Sequence, residues 1–318
     1  MRKKAAFTML ELLFAIVVIG ILSKFGVEFL AQAYRGFIYS NVNHTLQAQS
    51  ASTVEIIASR LQYRIKESVI ARRDNALNSF YSVNDLNTTF LDRYTVLEWI
   101  GEDIEGFRGT QLPFWSGVFD LENPIIAMNV GNILVSLETN TTNINNTILI
   151  LSDNSSNFGD AALYFTGATH DITTFGWQGI YADTAVAFNN PITDQLQSVH
   201  PINSTVADSS YFIPSVGTMQ SVDIYEYYKL FWTAYAISFE DYNNTTQAGK
   251  LFLYYNYQPW LGESYSDLNK GIKKTLLAEN VSTFRFFAID SLLKIQVCIK
   301  SNLLKGEEHS ICKDKTIF

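Results

Sequence analysis

Residues 2–25, RKKAAFTMLELLFAIVVIGILSKF, constrain this chain more than any other stretch: three basic residues, a pair of small residues, then an apolar run carrying one carboxylate, Glu11, near its start. An unpaired acid inside a bilayer costs roughly 2.5–3.5 kcal/mol even on lenient insertion scales, so Glu11 needs a reason to be there. Residues 7–22 are apolar except for Thr8 and Glu11, and Phe25, Val27, Phe29 and Leu30 extend them toward the ~20 residues that a membrane span requires. Because Arg2, Lys3 and Lys4 come immediately before the apolar run, the positive-inside rule keeps them in the cytoplasm and sends the chain from residue 25 or so onward outside.

Around Glu11 the sequence resembles the class III signal of type IV prepilins and type II secretion pseudopilins, in Phe7, Thr8, Met9, Leu10, Glu11 and Leu12. Ala6 stands where that family usually has Gly. The resemblance implies cleavage between Ala6 and Phe7 by a prepilin peptidase, N-methylation of Phe7, and pairing of Glu11 with the terminal amine of a neighbouring subunit. It implies as partners other pilin or pseudopilin subunits and an inner-membrane assembly platform, with a single pass through the inner membrane and a periplasmic body. The physics agrees, because a carboxylate and an ammonium that are each costly in lipid become tolerable when two helices supply one apiece. Two plainer readings explain less. An ordinary secretory signal cleaved after Ala31-Gln32-Ala33 would leave Lys24 and Glu28 between the apolar run and the cut, and an uncleaved anchor leaves the Phe-Thr-Met-Leu-Glu run as coincidence.

With 318 residues, 47% of them hydrophobic, the chain has ample material for a core. No proline occurs before Pro113, and Val54, Ile57, Leu61, Ile65 and Val69 recur at three-to-four-residue spacing, the pattern of an amphipathic helix. One helix is therefore expected over 7–73, its 7–30 portion transmembrane, after a 1–6 leader, with Gly20, Gly26 and Gly36 weakening it locally. Polar residues 74–89 read as a linker into a β-rich domain that completes an α+β fold over 74–318. Expected strands are Asn132–Leu137, Thr147–Leu151, Ala162–Gly167, Thr184–Phe188, Lys229–Phe239, Lys250–Tyr257, Thr283–Ala288 and Leu293–Ile299, bounded by turn residues. The fifth and sixth form one antiparallel hairpin and the last two another, while 139–147 read as a surface loop. The last hairpin also resembles that of the large minor pseudopilins and minor pilins.

Formal net charge is −8, and loss of Arg2, Lys3 and Lys4 takes it to −11, which argues against a nucleic-acid-binding body. Cys298 and Cys312 are the two cysteines and read as a disulfide in an oxidising compartment. Alternation along Lys294–Lys300 puts Cys298 on the polar face opposite Ile295, Val297 and Ile299, so the bridge is expected to hold a mobile Lys- and Glu-rich tail against that face. The four histidines, His44, His170, His200 and His309, have no metal-binding spacing, and no nucleotide, nucleophile-elbow or zincin motif occurs. Neither catalysis nor a cofactor or metal is expected. Glu102, Asp103 and Glu105, like Glu240 and Asp241, read as solvated acidic loops. Asn87, Asn140 and Asn243 lie in sequons with an acid two residues upstream, which resemble the extended acceptor of bacterial oligosaccharyltransferases.

The expectation is a structural filament subunit, and a body this large points to a minor pilin or minor pseudopilin. Protein secretion, pilus assembly and DNA uptake all employ this leader. The competing expectation is a membrane-anchored periplasmic binding or adhesion module with no filament role.

Overall fold

The computed structural model describes residues 8–73, 79–86, 88–122, 133–182, 187–188, 198–203, 210–213, 224–268, 271–301 and 309–318. Ala6, Phe7 and Asn87 lie outside them, as do parts of two expected strands, Asn132 and Thr184–Val186.

Helix α1 runs from Met9 to Leu61 without interruption, about 80 Å at 1.5 Å per residue. Gly20, Gly26 and Gly36 do not break it, and a Cβ at any of them would meet nothing within 4 Å. The first half is exposed all round, whereas Val42, Leu46, Val54, Ile57, Ala58 and Leu61 are buried. That stripe has the helical period and is the face that docks on the body. The helix stops twelve residues before the expected Arg73. After Leu61 the chain turns through Arg64, which bridges to Gly101, and through a short 3-10 turn at Lys66–Ser68, into strand β1 (Ile70–Arg73). Ile65 and Val69 are buried as the periodicity suggested, but from an extended segment: Ile65 N–H donates to Ile100 O (2.9 Å) and Glu102 N–H to Tyr63 O (2.9 Å). Sheet pairing overrides helix continuation there, with no Gly or Pro to announce the break.

The remaining strands are β2 (Ser79–Ser82), β3 (Tyr94–Glu102), β4 (Leu134–Val135), β5 (Ala162–Phe165), β6 (Gly179–Tyr181), β7 (Ala187–Phe188), β8 (His200–Pro201), β9 (Tyr211–Phe212), β10 (Tyr228–Asn243), β11 (Ala248–Tyr257), β12 (Lys273–Ile289), β13 (Leu292–Lys300) and β14 (Ser310–Ile317). The main sheet has the order β14-β13-β12-β11-β10-β3-β1-β2-β6-β7, and β5 also pairs with β10 and with β8. Its pairings are antiparallel except β2 with β6. Both expected hairpins are present, β10–β11 and β12–β13.

Strand alternation divides the apolar residues between the two faces of this sheet. One face, with Leu97, Trp99, Ile237, Leu251, Leu253, Phe286, Ile295 and Val297, receives the buried stripe of α1. The other, with Val96, Ile100, Ala234, Ala236 and Tyr257, packs on Phe80, Trp177 and Trp260. A third apolar cluster, around Trp115, Phe119, Ile144, Ile148, Phe165 and Phe212, builds a lobe from the chain between β3 and β10.

Two expectations fail in this body. Residues 139–147 and Thr147–Leu151 are not loop and strand but one helix, α3 (Thr141–Leu151), capped by Asn140, whose side chain accepts from Asn143 N–H. Ile144 and Ile148, one helical turn apart, are its buried face, so the 3.6 period outweighs the low helix propensity of the Asn and Thr between them. The 74–89 linker contains β2. Of the Lys- and Glu-rich tail, Ser310–Ile317 is the edge strand β14, paired along its length with β13, while residues 302–308 lie outside the described residues.

Strand β14 also lies along α1 in the same direction. His309 Nε2 meets Asn43 Oδ1, Lys315 Nζ meets Glu55 Oε1 at 2.7 Å, and Phe318 O meets Arg64 Nη1 at 3.4 Å. From Asn43 to Leu61 the helix rises about 27 Å, and from His309 to Phe318 the chain covers about 30 Å, so the two advance together. Arg64 closes the far end, donating through Nη1 to Leu61 O (2.9 Å) at the helix C-terminus and through Nη2 to Ser291 O (2.7 Å) in the β12–β13 turn.

Cys298 and Cys312 face each other directly in the β13–β14 register and are joined by a disulfide. Cys298 is on the face opposite Ile295 and Val297, but it is buried at 5% exposure rather than solvated, because β14 and the bridge itself cover it. The bridge therefore joins two strands that are already paired. With the cysteines 14 positions apart in sequence, loop closure predicts about 3 kcal/mol from the cross-link. Reduction should lower the unfolding free energy by that much, moving the denaturant midpoint down in proportion, and leave the far-ultraviolet circular dichroism of the folded protein unchanged. An unchanged midpoint would show that strand pairing alone holds β14.

Candidate functional site

The residues singled out by the leader converge on the first turn of α1. Thr8, in extended conformation, is its N-cap, and Thr8 with Glu11 makes a reciprocal capping box. Glu11 Oε2 accepts from Thr8 N–H at 3.0 Å and from Thr8 Oγ1 at 2.9 Å, while Glu11 N–H donates to Thr8 Oγ1 at 3.4 Å. The carboxylate thus satisfies a helix-start donor within its own chain and lies near the positive end of the helix dipole. That role was legible in the spacing Thr8-Met9-Leu10-Glu11, a Thr-x-x-Glu box, although the leader reading assigned Glu11 only to a neighbour's amine. Beyond it, Met9, Leu10, Leu13, Phe14, Ile16, Ile19 and Leu22 are all exposed. This part of α1 is long and apolar enough to cross a membrane, and none of that window is buried in the body.

Elsewhere the structure separates the candidates. Glu102 is paired with Lys229 (2.7 Å), Glu240 accepts from Tyr254 Oη (2.7 Å) and Lys274 Nζ (2.8 Å), and Asp241 lies 3.3 Å from Lys250. Asp103 is no solvated loop residue. It is 1% exposed and caps the short helix α2 (Ile104–Arg108), accepting from Gly106 N–H at 3.2 Å and Trp115 Nε1 at 3.2 Å. His170 stacks on Tyr164 at 4.1 Å and His200 lies 5.0 Å from Phe165, so the two histidines pack against consecutive aromatic residues of β5. Among the described residues no three His, Cys, Asp or Glu side chains form a group that could hold a metal. Asn140 caps α3, and Asn243 stands at the exposed β10–β11 turn, where its Oδ1 accepts from Thr245 N–H at 2.8 Å.

Burial pushes the Asp103 carboxyl up to about 6, against the opposing pull of its hydrogen bonds. A raised carboxyl pKa means that the folded state holds the proton more tightly, so stability contributed here grows as pH falls from about 6 toward the ordinary aspartate value and is absent at neutral pH. The shift corresponds to about 3 kcal/mol. His200, pushed down to about 4 mainly by burial, acts with the opposite sign over nearly the same interval and masks the effect in the parent protein. Asp103→Asn removes one of the two. The parent's stability minus the variant's should be about 2–3 kcal/mol larger at pH 4 than at pH 7.5 in paired urea titrations; a difference independent of pH would contradict the assignment.

No curated protein and no solved structure matches the chain. Its first 23 residues match the family model described as the prokaryotic N-terminal methylation motif. With the capped, exposed first turns of α1 lying inside that match, residues 1–23 are the class III signal of type IV pilins and pseudopilins.

Proposed function

We propose that the protein is a non-catalytic filament subunit, a minor pseudopilin or minor pilin, cut between Ala6 and Phe7, methylated on Phe7, and assembled through α1 with its body in the periplasm. The observation that carries this reading is the capped Glu11 at the head of an apolar helix that continues unbroken into the body. A signal removed after export would have no need to share one rigid helix with the domain core. A structural role is also supported by the use made of buried polar groups: Arg64, Arg72, Glu98 and Asp103 each hold elements together. The large body favours occasional rather than repeated placement in a fibre.

The test is the amino terminus of the mature protein from its own membrane fraction, read by mass spectrometry. N-methylphenylalanine at position 7 is expected. Met1 retained, or a start at Tyr34, would remove the filament reading and leave an anchored or secreted module.

A further inference from the structure

Between Arg108 and Lys229 the chain has no lysine or arginine, while eleven aspartates and glutamates fall in that stretch. The rest of the sequence holds 23 basic against 20 acidic residues, so the whole negative excess belongs to this stretch, from which the lobe is built. The lobe joins the body where Asp103 N–H donates to Leu230 O (2.8 Å), beside the C-terminal end of α1 and thus at the end away from the apolar segment. There Val118, Leu121 and Leu137 are 37%, 41% and 59% exposed along a groove of about 640 Å3 floored by Phe119. Asp120, Glu122, Glu138 and Glu226 rim it, and among the described residues no lysine or arginine pairs with any of the four.

The groove is held in shape before anything enters it. Ser136 Oγ sits 2.7 Å from Tyr228 Oη, 2.7 Å from Thr139 Oγ1 and 2.9 Å from Ser116 Oγ, locking both walls together from beneath. Glu138 is held at φ 57°, which keeps the Leu137–Glu138 turn projecting at the rim. Fixed walls reduce the ordering cost of binding. Exposed apolar side chains supply area to bury, and four carboxylates without counter-charges supply long-range attraction for one sign of partner.

We propose that this groove docks a cationic, apolar segment of another protein, one in which lysines or arginines flank leucine-like anchors. Anionic surfaces are repelled by the same lobe, and a second copy would bring its own anionic lobe. The inference does not depend on filament assembly, because the groove is complete within one chain.

The test uses the full chain in phosphatidylcholine nanodiscs and a fluorescent 12-residue peptide of alternating Lys and Leu, with binding to empty nanodiscs subtracted. Binding should weaken at least about tenfold in the variant Asp120→Asn/Glu122→Gln/Glu138→Gln/Glu226→Gln. It should stay within about twofold for an equal charge change at Glu105→Gln/Asp171→Asn/Asp267→Asn/Glu279→Gln. A Lys/Ser peptide of equal charge should bind more weakly than the Lys/Leu peptide. If the groove variant misfolds, Val118→Ser/Leu137→Ser, at two exposed positions, should show the same loss. Equal losses in the groove and control variants, equal binding of both peptides, or no binding would each overturn the proposal.

Discussion

Glu98→Ala is expected to cost the body about 3–5 kcal/mol, a large part of the 5–15 kcal/mol that a typical domain has in total. Glu98 is 1% exposed in the middle of β3, and it faces Arg72 of β1, itself 3% exposed. Arg72 Nε donates to Glu98 Oε1, Arg72 Nη1 to Gln178 O (2.8 Å), and Tyr257 Oη to Glu98 Oε2 (2.8 Å), so one carboxylate ties β1, β3 and β11 beneath Trp177 and Trp260. Removing it leaves a guanidinium and a phenol in an apolar interior without their acceptor. The cost comes from those stranded groups rather than from any large net gain of the pair, because desolvation consumes most of a buried ion pair's attraction. Replacing the charges together, Arg72→Met with Glu98→Leu, should accordingly recover most of the stability. Urea titration of the three proteins decides it: a Glu98→Ala loss below about 1 kcal/mol would mean that water reaches Arg72, against the burial seen here.

If the protein is the filament subunit proposed above, Glu11→Ala should leave the cut before Phe7 largely intact and impair incorporation, because cleavage would act at the membrane face whereas the carboxylate would pair with a neighbour's amine. Alanine alone cannot separate the two roles available to Glu11, since it also destroys the capping box, a loss of about 0.5–2 kcal/mol at the helix start. Glu11→Gln separates them. Its amide oxygen still accepts from Thr8 N–H, as Gln does in capping boxes, but it carries no charge for a neighbour's ammonium. Both variants should therefore be processed, methylated and depleted from sheared filaments. Parental levels of Glu11→Gln in the filament fraction would show that the carboxylate matters for starting the helix and not for pairing between subunits.

The parts of this fold legible in the sequence are those in which one periodicity acts alone. The stripe Val54, Ile57, Leu61 and the alternation Ile295, Val297, Ile299 each face one core, and both elements follow from them. Strand β3 was invisible because it is buried on both faces and carries Glu98 at its centre, so YTVLEWIGE shows neither alternation nor an unbroken apolar run. The end of α1 was misplaced because Ile65 and Val69 keep helical spacing while serving an extended segment, a choice made by strand pairing with Ile100 and Glu102. At the candidate site, Glu11 was legible because its charge is out of place in an apolar run. Asp103 and Arg64 were not, because only the fold brings together the distant groups that surround them.

The parallel course of α1 and β14 sets the path that force takes through the molecule. A pull along the helix axis enters the sheet through Asn43, Glu55 and Arg64 and is handed to β14 along its own length. The β13–β14 hydrogen bonds are then loaded in shear, many together, rather than peeled one after another from an end. Cys298–Cys312, two pairs in from the Lys300–Ser310 end of those strands, is a covalent rung in the ladder that carries this load.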